Sequence, residues 1–280
     1  YCIGIKGAGM STLANILSDL GNDVSGYDDT VKYKFTEEGL DKRGIKIYHE
    51  PHPIDSDTIV TYSKAFSIDH PEIKRVRELG LTMRDYNQVV GDVTAMFETI
   101  GVSGTHGKTT TSLLISDILK NTVGCNYFVG DGTGYADKKN KLFVIESDEF
   151  NKHFLAYHPT IAVITNIELD HTECYPGGLE EIKDTFKKFG NKAEQVVACG
   201  DDSNIRDIKF DKDVIYYGFN DNNNVVAKNV KLTDKGSEFD VYINNELFDS
   251  YELPLFGKHM ILNALASIIT VSYTHLRAHE

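Results

Sequence analysis

The chain is 280 residues long with a formal net charge of −13; it is 41% hydrophobic and 25% charged, with 23 glycines and no tryptophan. That length gives room for about two domains, each able to bury a core without covalent staples. The acidic balance disfavours a nucleic-acid partner, which needs a basic surface to displace counterions. No apolar run of membrane-spanning length and no cleavable leader is evident, so a cytoplasmic protein with no membrane partner is expected. Cys2, Cys125, Cys174 and Cys199 show neither CxxC nor zinc-type spacing and read as reduced thiols.

Residues 1–5 read as a short buried strand running into glycines at 4, 7 and 9. A helix follows whose apolar face is Met10, Leu13, Ala14, Leu17 and Leu20. Gly21-Asn22 stops it, and 23–27 reads as a second strand. A helix over 35–43, strands at 45–48 and 58–62 and a charged helix over 71–79 continue the alternation, which points to βαβ units and a parallel sheet. A second unit starts near Phe97, with a strand at 99–103, a glycine-rich turn and a helix over 108–119. Strands at 142–145, 160–165 and 195–199 and a helix over 179–189 complete its parallel part. Beyond Asp211, segments 225–232, 238–243 and 247–253 alternate in the manner of antiparallel strands, with Asn244-Asn245 as a two-residue hairpin signal. Residues 258–270 read as a helix, and 272–280 break its apolar rhythm. The opening at Tyr1 and this closing stretch both read as truncations.

The strongest chemical signal is Gly101-Val102-Ser103-Gly104-Thr105-His106-Gly107-Lys108-Thr109-Thr110-Thr111, between a strand and a helix. Glycines let the backbone curl so that N–H groups face a phosphate, and the helix dipole adds to the attraction. In such a loop Lys108 bridges the outer phosphates and the Thr109 hydroxyl ligates Mg²⁺. Val102 stands where the common phosphate-loop pattern has glycine, so this is a variant of it.

That variant resembles the Gly-Thr-x-Gly-Lys-Thr-Thr signature of the Mur ligases and the related folylpolyglutamate synthetases. Three further stretches are similar to that family, in its order: Glu146-Ser147-Asp148-Glu149, Thr165-Asn166-Ile167-Glu168-Leu169-Asp170-His171, and Gly257-Lys258-His259-Met260-Ile261-Leu262-Asn263-Ala264. The resemblance implies an α/β protein: a Rossmann-like UDP-binding domain over 1–96, then an ATP-binding central domain with added antiparallel strands over 97–280. It implies ATP and Mg²⁺ as cofactors. ATP would be held by Gly104, Thr105, Gly107, Lys108, Thr109 and Thr110, with His259 and Asn263 at adenine. Met260 departs from the asparagine common in the family. Magnesium would be held by Thr109 and Glu146, with His171 on a second ion. A carboxylate and a hydroxyl suit a cation that keeps most of its waters; His171 is assigned from the resemblance alone. Lys108, His106, Glu146 and His171 are the implied catalytic set, His106 facing the acceptor carboxylate.

In the first unit, Gly4-Ile5-Lys6-Gly7-Ala8-Gly9 with Asp28 beyond it resembles a dinucleotide fingerprint, though spaced G-x-x-G-x-G. Alone, the pattern leaves NAD and another diphosphate equally open. With Met10-Ser11 it is similar to the G-I-x-G-x-G-M-S string of the family branch that joins L-alanine to UDP-N-acetylmuramate. Gly7, Ala8, Gly9, Met10, Ser11, Asp28 and Asn166 would then contact the UDP-sugar. Gly130-Asp131-Gly132-Thr133-Gly134 and Thr233-Asp234-Lys235-Gly236 are similar to the same branch. The implied reaction phosphorylates the muramoyl carboxylate, and the alanine amine attacks the acyl phosphate. Nothing in the sequence corresponds to the third, amino-acid-binding domain of the family, so the chain is expected to bind ligands weakly or partially and not to turn over. A tripeptide (recycling) ligase, a folylpolyglutamate-type ligase, an NAD-dependent oxidoreductase and a non-catalytic nucleotide-binding module are the alternatives.

Overall fold

The computed structural model describes residues 1–130 and 132–277. Five parallel strands form the first sheet: β1 (Cys2–Ile3), β2 (Ser25–Tyr27), β3 (Lys46–Tyr48), β4 (Ile59–Tyr62) and β5 (Thr82–Asp85), in the order β3-β2-β1-β4-β5. Helices α1 (Ala8–Asp19), α2 (Glu37–Lys42), α3 (Pro71–Glu78) and α4 (Tyr86–Thr94) link them or lead out. The order reverses between β1 and β4, which opens a crevice at the carboxyl ends of those strands. β1 is shorter than its apolar run because Gly4 turns left-handed (φ 82°) and donates to the Tyr27 carbonyl at 2.7 Å. β5 has no clean apolar alternation and is set by pairing with β4. α4 turns Tyr86, Val89, Val90 and Val93, at helical spacing, towards the core and starts at a capping box, in which the Asp85 N–H donates to Gln88 Oε1 at 3.1 Å.

The second sheet has ten strands. β6 (Glu98–Ser103) leads into α5 (Lys108–Thr122), β7 (Cys125–Phe128), β8 (Gly134–Tyr135), β9 (Leu142–Glu146) and β10 (Ile161–Ile164). α6 (Gly178–Lys192), β11 (Gln195–Cys199), α7 (Ser203–Asp207) and β12 (Val214–Gly218) come next. β13 (Val225–Thr233), β14 (Gly236–Ile243), β15 (Glu246–Leu253) and α8 (Lys258–Arg277) close the chain. The order is β15-β14-β13-β12-β11-β10-β6-β9-β7-β8. β7, β9, β6, β10, β11, β12 and β13 run parallel, while β14, β15 and β8 are antiparallel additions at the edges. Asn244 and Asn245 both take positive φ (50° and 69°), the requirement of a tight hairpin.

One continuous apolar core runs from α1 and α4 into the β6–β9–β10 centre of the second sheet. The two sheets also meet through polar contacts: the His158 N–H donates to Thr94 Oγ1 at 3.0 Å, and the Ala136 N–H to Asp19 Oδ2 at 3.2 Å. At Gly91 a side chain would collide with the Ala156 carbonyl, so α4 lies directly on the turn Phe150–Ala156. α8 does not stop at Thr270 as its sequence suggests. It continues to Arg277, with Val271 and Thr274 buried and the Thr274 hydroxyl donating to the Thr270 carbonyl at 2.8 Å. The last three residues of the expected break lie outside the described residues. Among those described, no helix is long and apolar enough to cross a membrane.

Candidate active site

The first glycine loop is braced from inside the protein. Lys6 is 1% exposed and its Nζ lies 2.9 Å from Glu37 Oε1, beneath the carbonyls of Val31 and Lys32. Asp28, itself buried, accepts the Lys6 N–H with one oxygen and the Thr30 N–H with the other, each at 3.0 Å. Its carboxylate therefore holds the loop's shape. Ser11 is also turned inward, its hydroxyl donating to the Ala8 carbonyl at 2.9 Å. The outward surface left to a ligand is Gly7, Ala8, Gly9 and Met10, which line a cavity. A Cβ at Gly9 would stand 2.6 Å from the Tyr86 hydroxyl at the start of α4.

The second loop is held by the strand beside it. The Asn166 side chain accepts the His106 N–H and donates to the His106 carbonyl, both at 2.8 Å, and the Thr165 hydroxyl donates to the same carbonyl at 2.6 Å. Thr105 is fixed at both ends: its N–H donates to the Asn166 carbonyl at 3.0 Å and its hydroxyl accepts the Glu168 N–H at 2.8 Å. Gly104 must be glycine, because a Cβ would collide with Thr165 Oγ1. Gly107 adopts φ 84°, and a Cβ there would lie 2.6 Å from Asn263 Oδ1. The first donor of the helical ladder in α5 is Thr111, so the helix makes no use of the N–H groups of Lys108, Thr109 and Thr110. N–H groups left over at a helix start suit an anion. His106 is exposed on the rim, 3.7 Å from Glu168.

Lys108 folds back along the loop. Its ammonium donates to the Gly104 carbonyl at 2.7 Å and to Glu149 Oε1 at 3.0 Å. Burial pushes the Glu149 carboxyl above its ordinary range, against the pull of Lys108. Beside this pair, the Thr109 hydroxyl lies 3.1 and 3.0 Å from the two oxygens of Glu146, and the Gly130 N–H donates to Glu146 Oε2 at 2.8 Å. A hydroxyl and a carboxylate in contact at a helix start fit Mg²⁺, a hard ion content with few protein ligands. Among the described residues no group of three or more His, Cys, Asp or Glu side chains could hold a metal by itself. His171 makes its contacts away from Thr109 and Glu146. It takes φ 50°, packs edge-on against Phe150 at 5.1 Å and has Asp170 and Glu173 within 4 Å.

A cavity of about 590 Å³ gathers the two loops. Gly7 to Met10 come to it from the first sheet, and Lys108, Gly130 and Glu146 from the second. Sequence reasoning missed several of its other walls: Ser63, Lys64 and Ala65 after β4, Tyr86 and Asn87 after β5, and Phe150, Asn151 and His153 after β9. All follow the carboxyl end of a parallel strand, and that position was the signal that could have found them. Burial, with Lys64 nearby, lowers the His153 pKa; Asp148 and Asp85 act the other way. Asn263 is buried where α8 meets Gly107, and His259 is exposed beside Gly257. Asp131 lies outside the described residues, and Thr233 to Gly236 form the turn between β13 and β14.

Comparison with known proteins agrees with this geometry. Residues 1–98 match the profile described as Mur ligase family, catalytic domain, and residues 102–271 match the Mur ligase middle domain. The chain is 42% identical over 279 residues to the UDP-N-acetylmuramate–L-alanine ligase of Lactiplantibacillus plantarum, covering 98% of this chain and 62% of that protein. The enzyme of the same name from Lacticaseibacillus paracasei is also 42% identical, with 64% of its length covered. The chain thus spans less than two thirds of these relatives. Among solved structures, the UDP-N-acetylmuramate–alanine ligase of Thermotoga maritima superposes with a TM-score of 0.81 at 26% identity, over 98% of this chain and 64% of that one. The UDP-N-acetylmuramate:L-alanyl-γ-D-glutamyl-meso-diaminopimelate ligase of Neisseria meningitides shares the fold, with a TM-score of 0.83 at 23% identity over 98% and 92%. Two matching profiles that together span nearly the whole chain, on a fold that brings both glycine loops to one cavity, show that it belongs to the Mur ligase family.

Proposed function

We propose that this chain supplies the UDP-sugar-binding and ATP-binding parts of a ligase that joins L-alanine to UDP-N-acetylmuramate, with the division between them near residue 97. The observation that carries this reading is the single cavity whose wall includes the Gly7–Met10 loop as well as Lys108 and Glu146. A substrate with a diphosphate at one end and a carboxylate at the other would lie across it, diphosphate on the first loop and carboxylate towards the second. The relatives at 42% identity carry the alanine-adding name, which favours alanine over a tripeptide as the acceptor's partner. Asp28 speaks against the NAD alternative, since it is buried and both its oxygens already accept backbone N–H groups.

The chemistry must bring a carboxylate up to a triphosphate, two anions, so preorganised positive charge is the main requirement. Lys108 and the first-turn N–H groups of α5 supply it from the protein, and Asn166 and Thr165 keep the loop in the conformation that aims them. Mg²⁺, held by Thr109 and Glu146, would add charge neutralisation at the phosphates. By the family resemblance, His106 would meet the substrate carboxylate, His171 would serve a second ion, and Asn263 and His259 would border the adenine. The test is ATP consumption by a full-length protein containing this segment. Hydrolysis to ADP that requires both UDP-N-acetylmuramate and L-alanine supports the reading. A requirement for a peptide in place of alanine would reassign it to a recycling ligase.

A further inference from the structure

The carboxylate of Glu149 has no part in the assignments above, yet it makes the closest ionic contact of the phosphate-loop lysine. Both its oxygens lie 3.0 Å from Lys108 Nζ, and the pair is shielded, with side-chain exposures of 14% for Lys108 and 5% for Glu149. Oε2 accepts no hydrogen bond, so Lys108 is the carboxylate's principal counter-charge. Its backbone is fixed as well: the carbonyl accepts the Tyr175 hydroxyl at 2.5 Å and the Lys152 N–H at 2.9 Å, and the Tyr175 ring is fully buried. With Gly104 and Thr105 carbonyls at 2.7 and 3.4 Å, all three donors of the ammonium already have acceptors inside the protein.

We infer that Glu149 is a positioning residue that holds Lys108 on the phosphate loop, and that an incoming triphosphate must take the lysine from it. This rests on the reading of the loop as a triphosphate site and adds a gate to that site. The physical reason is saturation. An ammonium with three donors cannot hold two carbonyls, a carboxylate and a phosphate together, and the carboxylate is the only one of its present partners with a charge to exchange. The contact holds the lysine in one orientation, at a cost in triphosphate affinity.

Glu149→Gln tests this, because the amide keeps the shape and removes the charge. Binding of a non-hydrolysable ATP analogue with Mg²⁺ is measured by calorimetry on the chain and on the variant, with thermal melting to confirm that both are folded. The variant should bind about tenfold more tightly, equivalent to about 1.4 kcal/mol. Tyr175→Phe, which frees the Glu149 backbone and leaves its charge, should shift affinity in the same direction by less. If the chain binds the analogue and Glu149→Gln binds equally or more weakly, Glu149 is no gate and the triphosphate reading stands. If neither binds, both readings fail. A variant that binds where the parent does not would be the strongest support for the gate.

Discussion

Two loops in this protein leave a parallel strand, turn on glycine and enter a helix, and each carries a lysine paired with a glutamate. After β1, Lys6 precedes the helix by two residues and points into the protein, 2.9 Å from Glu37 and almost without exposure. After β6, Lys108 is the first residue of its helix and lies on the cavity wall, 3.0 Å from Glu149. The difference is one of register. Placed before the glycine, the lysine becomes an internal strut, and only backbone N–H groups and small side chains meet the ligand. Placed at the helix start, it remains within reach of a phosphate. On the proposed function, the first loop would hold a diphosphate that is only bound, and the second a phosphate that is transferred.

Removing each lysine should break the comparison most sharply. Lys6→Ala leaves Glu37 buried without its cation, and losing one partner of such a pair costs about 3–5 kcal/mol. Denaturant unfolding should show that loss; a change below about 1 kcal/mol would mean that Lys6 is no strut. Lys108→Met should weaken binding of a Mg²⁺–triphosphate analogue by about a hundredfold, as expected for one preorganised donor. It also strands Glu149, whose folded-state carboxyl is already raised by burial. A raised acid stabilises the fold at low pH and loses that contribution as pH rises through its folded value. The variant should therefore melt higher in mild acid than at neutral pH, by more than the parent does.

Smaller changes sharpen the same contrast. Gly9→Ala places a methyl 2.6 Å from the Tyr86 hydroxyl. Binding of UDP-N-acetylmuramate should weaken by about tenfold, with triphosphate binding unchanged, since the two loops meet the cavity separately. Equal losses for both ligands would show that the loops do not divide the work. The smallest effect belongs to His153, whose pKa is lowered by burial. A lowered histidine supports the fold above its ordinary range and withdraws that support as pH falls through the folded value. Melting temperatures of His153→Gln should consequently decline less than the parent's as pH falls below the histidine range.

The sequence made the second loop legible because its chemistry depends on spacing: a left-handed glycine, then lysine, then threonine at a helix start. It made the parallel order legible through alternation of strand and helix. It did not show the buried Lys6–Glu37 pair or the two backbone N–H groups that Asp28 accepts, because these depend on which backbone N–H or distant carboxylate the fold delivers. β5 was hidden for another reason: Thr82–Asp85 carries no clear alternation and is defined by pairing with β4, whereas α4 was legible in Tyr86, Val89, Val90 and Val93 at helical spacing and was overlooked. The turn at Phe150–Ala156 depends on left-handed Asn151 and Lys152, a conformation that no composition signals, and so His153 was invisible as a cavity residue. The Lys108–Glu149 pair joins residues 41 apart in the chain, and only the fold shows which carboxylate of the acidic cluster reaches the lysine.

The most direct test of the two-loop account is calorimetric titration of the chain with UDP-N-acetylmuramate, Mg²⁺–ATP analogue and NAD in turn, repeated on Lys108→Met. The expected result is binding of the UDP-sugar and the triphosphate but not NAD, with Lys108→Met losing the triphosphate and keeping the UDP-sugar. Binding of NAD alone, or loss of both ligands in a folded Lys108→Met, would contradict it.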